Sequence, residues 1–297
     1  MRSFLLDTSI LEARTIKVPV VSATVANACR KMQKRGAAEY AILEYHNAVV
    51  EETQFLLERL QEKRDLLLVS EHVNRITGAS RDKRKANMCR EILTRLEIEL
   101  RKVFDKCYPP DAKDFHAARA EHACTLLSEF QRNWIKELRR IVDCWERSTQ
   151  CYWVRQLEAM SPWLPKVVKV RCRPDNVRCG IVQFLDTRAA TLATLEEALR
   201  KMMDAKDSRL TDELIALYGA IQALKGNRNA AADYRTGCRC FADALHVLES
   251  DRYDAIYSMN PKEFGPLCQM LQKRFVLQDH RGTPPDLTDS AGEVGRG

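Results

Sequence analysis

Apolar residues recur at steps of three, four and seven through most of this chain, and little interrupts them. Leu127, Phe130, Trp134, Leu138, Ile141, Trp145 and Tyr152 form the clearest run. Such spacing lines one side of a helix. Glycine (11) and proline (10) are sparse among the 297 residues. A sandwich or doubly wound fold of this size would need more turn residues. The sequence therefore predicts an all-α protein, an elongated antiparallel bundle of long amphipathic helices, coiled-coil-like, with additional C-terminal helices.

The periodicity divides the chain. Residues 1–21 form an N-terminal segment. A first helix is expected from Ser22 to Ile76, striped by Ile42, Tyr45, Val49, Leu56, Leu60 and Leu67 and stopped by Gly78. At 1.5 Å per residue it would be roughly 80 Å long. A second carries Cys89, Ile92, Leu96, Leu100, Val103 and Cys107, up to Pro109-Pro110. A further helix is expected from Asp111 to Met160. Pro162, Pro165 and Pro174 make residues 161–180 a linker. Another helix follows from Ile181 to Lys225, closed by Gly226-Asn227. C-terminal helices occupy 226–279, with Asn260-Pro261 reading as cap and first helical position. Residues 280–297 read as a disordered tail.

Charged residues make up 30% and hydrophobic residues 45%, a globular composition. The net charge of +7 is a modest basic excess, compatible with an anionic surface. Eleven cysteines occur without a CxxC pair, and the odd count argues against a disulfide framework. No apolar run reaches the roughly 20 residues of a membrane span. The N-terminus lacks a signal-peptide core, so a cytoplasmic protein is expected, possibly one peripheral at membranes or the cytoskeleton.

Catalytic signatures are missing. There is no Gly-rich phosphate loop, HExxH or Gly-x-Ser-x-Gly. His116, His122 and Cys124 are spaced six and two apart, which does not put ligands on one helix face. Cys238 and Cys240 point about 200° apart on a helix. Cys172 and Cys179 flank a loop without further ligands. No enzyme activity, metal or cofactor is expected. Two basic clusters remain: Arg81, Lys83, Arg84 and Lys85, then Lys166, Lys169, Arg171, Arg173 and Arg178 beside Trp163. Both fall at connections between long helices. Such loops can lie against lipid headgroups with a tryptophan at the interface.

This order of a very long helix, a proline-interrupted second helix, a basic tip and a third helix resembles the BAR superfamily of membrane-curvature proteins. The resemblance covers Ser22 to Lys225 and is architectural. It implies a homodimer that binds or bends anionic phospholipid membranes through the basic clusters and Trp163. The alternative is a helical adaptor or cytoskeletal protein that binds another protein. Nucleic acid is not expected as a partner.

Overall fold

The computed structural model describes residues 2–17, 19–76, 83–110, 112–160, 179–232 and 238–287. The chain begins with strand β1 (Ser3–Leu6), then helices α1 (Thr8–Thr15) and α2 (Pro19–Lys31), and strand β2 (Lys34–Ala38). Helix α3 (Tyr40–Tyr45) runs through a π-helical turn (His46–Val50) into α4 (Glu51–Lys63), followed by α5 (Leu66–Ile76), α6 (Lys83–Val103) and α7 (Phe115–Ile141). Strand β3 (Cys144–Glu146) leads to α8 (Tyr152–Met160), α9 (Ile181–Thr187), α10 (Ala189–Asp204), α11 (Asp212–Gly226) and α12 (Ala242–Glu249). Strand β4 (Ala255–Ser258), α13 (Pro261–Met270) and β5 (Phe275–Leu277) complete the fold.

The five strands form one sheet in the order β3-β2-β1-β4-β5, and every neighbouring pair is parallel. The protein is therefore mixed α/β. This overturns the all-α, coiled-coil-like bundle and the BAR resemblance built on it. The expected helix from Ser22 to Ile76 is cut by β2 and by further breaks, and the one from Asp111 to Met160 is cut by β3. The longest described helix is α7, with 27 residues. Among the described residues no helix is long and apolar enough to cross a membrane.

The strands escaped the periodicity because they are short, and β1 and β4 are buried. A strand covered on both faces reads as an apolar run, not as an alternation. Phe4, Leu5 and Leu6 in β1 are at most 1% exposed, and all four residues of β4 are buried. Parallel strands need long crossovers, usually helical. Here α3 to α7 connect β2 to β3, and α8 to α12 connect β3 to β4. Helix α4 packs against α7 and α6, and α5 against α6.

One glycine is required by a close approach. A Cβ added at Gly36 in β2 would lie 1.9 Å from the hydroxyl oxygen of Tyr253. The bare backbone lets this tyrosine cross β2, where its hydroxyl donates to Glu146 Oε1 at 2.6 Å.

Candidate metal centre

The chain passes from β1 to β2 on one side of the sheet and later enters β4 on the other side of β1. In open parallel sheets a crevice forms where the connections diverge, outside the carboxyl ends of the strands. Asp7 follows β1 directly at that point. Ser258 ends β4 beside it.

Asp7 is buried and rigidly held. Its Oδ2 accepts from the Ser9 backbone N–H at 3.2 Å, from the Ser258 hydroxyl at 2.8 Å and from the Ser9 hydroxyl. The first of these bonds caps α1, whose N-terminal dipole favours a carboxylate there. Ser9 and Ser258 are themselves fixed, accepting from the backbone N–H groups of Met259 (3.0 Å) and Asn260 (2.9 Å) respectively. Among the described residues Oδ1 of Asp7 accepts no hydrogen bond. The described hydrogen bonds of Asp7 thus all converge on one carboxylate oxygen.

Helix α3 brings Glu44, whose Oε2 accepts from the Thr8 hydroxyl. The π-helical turn begins two residues later. Such turns add a residue to the helix and often lie at functional sites. Helix α12 brings His246, fully buried, with Nε2 3.4 Å from Glu44 Oε2. Donor atoms of Asp7, Glu44 and His246 all lie within 4.8 Å of one another. Burial lowers the affinity of His246 for a proton, but Glu44, with Asp7 and Glu249, outweighs it and raises the imidazole pKa.

Two more carboxyl groups border this triad. Asp243 lies one helical turn before His246, on the same face of α12, and hydrogen bonds to Glu263 of α13. Burial, then the charges of Glu44 and Glu263, hold Asp243 well above the usual carboxylate range. Asn260 donates its side-chain N–H to Glu263. Among the described residues no lysine or arginine pairs with Asp7, Asp243 or Glu263. The pair opens on a cavity of about 300 Å³ lined also by Asp212, Glu213 and Arg239. Buried carboxylates without a counter-charge are costly, and a bound cation removes that cost.

A further carboxyl group lies farther along the same edge of the sheet. Glu249, at the end of α12, is 5% exposed, and among the described residues its Oε1 has no hydrogen-bond partner. Burial, aided by Glu39 and Glu146 and opposed by His246 and Ser148, pushes its pKa from 4.5 up to about 7. A carboxyl group whose pKa is raised in the fold stabilises below its unfolded value and loses that stability as pH rises through the folded one. The window here is about pH 4.5 to 7, and the loss is about 3 kcal/mol. Glu249→Gln cannot ionise. The variant should gain on the parent between pH 5 and pH 8, and denaturant midpoints at both values will read it. Parallel pH profiles would show that Glu249 is an ordinary carboxylate.

The chain matches no family model, no curated protein and no solved structure with which it was compared. The site therefore has to be read from its own geometry.

None of the residues expected from sequence to form a contact surface belongs to this cluster among the described residues. Arg81, Trp163, Lys166, Lys169, Arg171, Arg173 and Arg178 lie outside the described residues, as do the side chains of Lys83 and Arg84. Lys85 is exposed on α6 and pairs with Glu52 at 3.4 Å. The sequence reading missed Asp7, Glu44, Asp243, His246 and Glu263. Two weak signals existed. One is the apolar run Phe4-Leu5-Leu6 ending in Asp-Thr-Ser, a strand entering a capped helix. The other is the Asp243–His246 spacing of three.

Proposed function

We propose that the protein is a divalent-cation-dependent hydrolase of phosphodiester bonds, acting on nucleic acid. The observation that carries this reading is the Asp7–Glu44–His246 donor set at the carboxyl edge of the parallel sheet. A bound cation supplies charge for a phosphate oxygen and acidifies a water. The chain's own groups have definable tasks. Asp7 and Glu44 hold the cation, with Ser9, Ser258 and Thr8 fixing their angles. Asp243, whose hold on its proton is strengthened by burial and by its neighbours, can deliver that proton to the departing sugar oxygen as water adds to phosphorus and the P–O bond breaks, the proton released by the water then restoring Asp243.

The substrate class follows from charge. The cavity beside the carboxylates carries Arg239 among four acidic residues, and the whole chain has a net charge of +7. A polyanion approaching an acidic centre needs the cation as a bridge and basic groups around it. This proposal replaces the expectation of a non-enzymatic scaffold, which rested on an architecture the protein does not have, and the expectation that nucleic acid is not a partner.

The test uses end-labelled single-stranded and duplex RNA and DNA with the full-length protein, in Mn²⁺, in Mg²⁺ and in excess chelator. Cleavage that appears with a cation and vanishes with chelator is expected. If every substrate stays intact with each cation, the hydrolase reading is lost.

A further inference from the structure

Building on the cation-dependent reading above, we infer that this centre selects a first-row transition ion, Mn²⁺, Co²⁺ or Zn²⁺, over Mg²⁺ and Ca²⁺. The reason is the third donor. Asp7 and Glu44 offer oxygen, which any hard cation accepts. His246 offers imidazole nitrogen, and its donor atom lies within 4.8 Å of theirs. Mg²⁺ favours six oxygens in near-ideal octahedral geometry and gives up water reluctantly, and Ca²⁺ wants six to eight oxygens. Imidazole suits the later first-row ions, whose affinity rises along the series from Mn²⁺.

The ring cannot move aside for a magnesium ion. His246 is 0% exposed, between Leu245 and Val247, which are equally buried. The Phe264 ring meets it edge-on with centroids 6.0 Å apart. Among the described residues Nδ1 of this fully buried ring has no hydrogen-bond partner. The polar contact described for the ring is therefore at Nε2, on the side of Glu44. Nε2 is thus the nitrogen on the side of Glu44 that would serve a cation held by Asp7 and Glu44. Asp243 and Glu263 lie outside the tight triad, hydrogen-bonded to each other beside the cavity.

The experiment measures binding before activity. Full-length protein stripped of metal is titrated calorimetrically with Mn²⁺, Zn²⁺, Mg²⁺ and Ca²⁺. Mn²⁺ and Zn²⁺ should bind at least about tenfold more tightly than Mg²⁺, the scale on which ligand environment changes metal affinity. Pulsed electron paramagnetic resonance of the Mn²⁺-loaded parent should show coupling to one imidazole nitrogen, a readout that needs no variant to fold. His246→Asp should abolish that coupling and bring Mg²⁺ and Mn²⁺ affinities together. Equal affinities in the parent, or Mn²⁺ without nitrogen coupling, would overturn the inference. The hydrolase reading would still stand if Mg²⁺ bound and supported cleavage. Absence of binding by all four cations would end both.

Discussion

Asp7→Asn should lower cation-dependent hydrolysis by about a thousandfold or more while leaving the protein at least as stable as the parent. The rate follows from charge. A cation held by two carboxylates and an imidazole loses one of its two anionic ligands. Transition-state stabilisation by a metal is worth several kcal/mol, and each 1.36 kcal/mol is tenfold in rate. The stability follows from the surroundings of Asp7. Asparagine has the same shape and can still accept from the Ser9 N–H and Ser258 hydroxyl that hold Oδ2. It also removes one negative charge from a crowded carboxyl cluster with Glu44, Asp243 and Glu263, whose mutual repulsion raises the pKa of Asp243. Sites that concentrate like charge are kept for function at the expense of stability. In chelator the variant should therefore melt at or above the parent temperature. In millimolar cation the parent should gain from mass action and the variant much less. Retention of the parent rate would remove Asp7 from the chemistry. A variant that unfolds in chelator would make Asp7 structural.

The helical part of the fold was legible because its pattern is local. The stripe Leu127, Trp134, Leu138 and Ile141 is buried in α7 as its spacing requires. Asn260-Pro261 starts α13, and Gly226-Asn227 ends α11. The sheet was illegible for equally specific reasons. Strand β2 reads Lys-Arg-Gly-Ala-Ala, without a β-branched or aromatic residue. Strand β3 has three residues, and its Trp145 falls four places after Ile141, in register with the helical stripe. A three-residue strand cannot display a period of two. Three further breaks, at Arg64-Asp65, at Arg188 and at residues 205–211, fell inside pieces read as continuous, so shorter helices looked like a few long ones. The candidate centre was less legible still. Asp7 and Ser258 stand 251 residues apart in sequence and meet only because β1 and β4 are neighbours. Glu44 and His246, 202 residues apart, meet through α3 and α12. No window along the chain contains them together.

The helical layer and the centre are joined through one ring, which gives the second large effect. Trp134 in α7 is 1% exposed. It stacks on Tyr45, centroids 5.8 Å apart and planes 10° off parallel, and also meets His46 at 5.8 Å. Tyr45 follows Glu44, and its hydroxyl donates to Thr15 Oγ1 of α1 at 2.6 Å. The indole thus supports the end of α3 at the start of the π-helical turn. Trp134→Ala removes the transfer energy of the ring and leaves a cavity that the stack cannot close without moving Tyr45. The expected loss is about 3–5 kcal/mol, or a fall in Tm of roughly 10 °C. Trp134→Phe keeps a ring against Tyr45 and should lose less than half of that. A purely local cavity would stop there. Because Tyr45 is bonded to Glu44 along the chain, collapse into the cavity should also displace a cation ligand, and a misplacement of about 1 Å can cost a hundredfold in rate. Trp134→Ala should therefore weaken cation binding at temperatures where it remains folded, whereas Trp134→Phe should not. An unchanged Tm would place the ring at the surface. A lower Tm with unaltered cation affinity would confine its role to the helical core and separate that core from the centre.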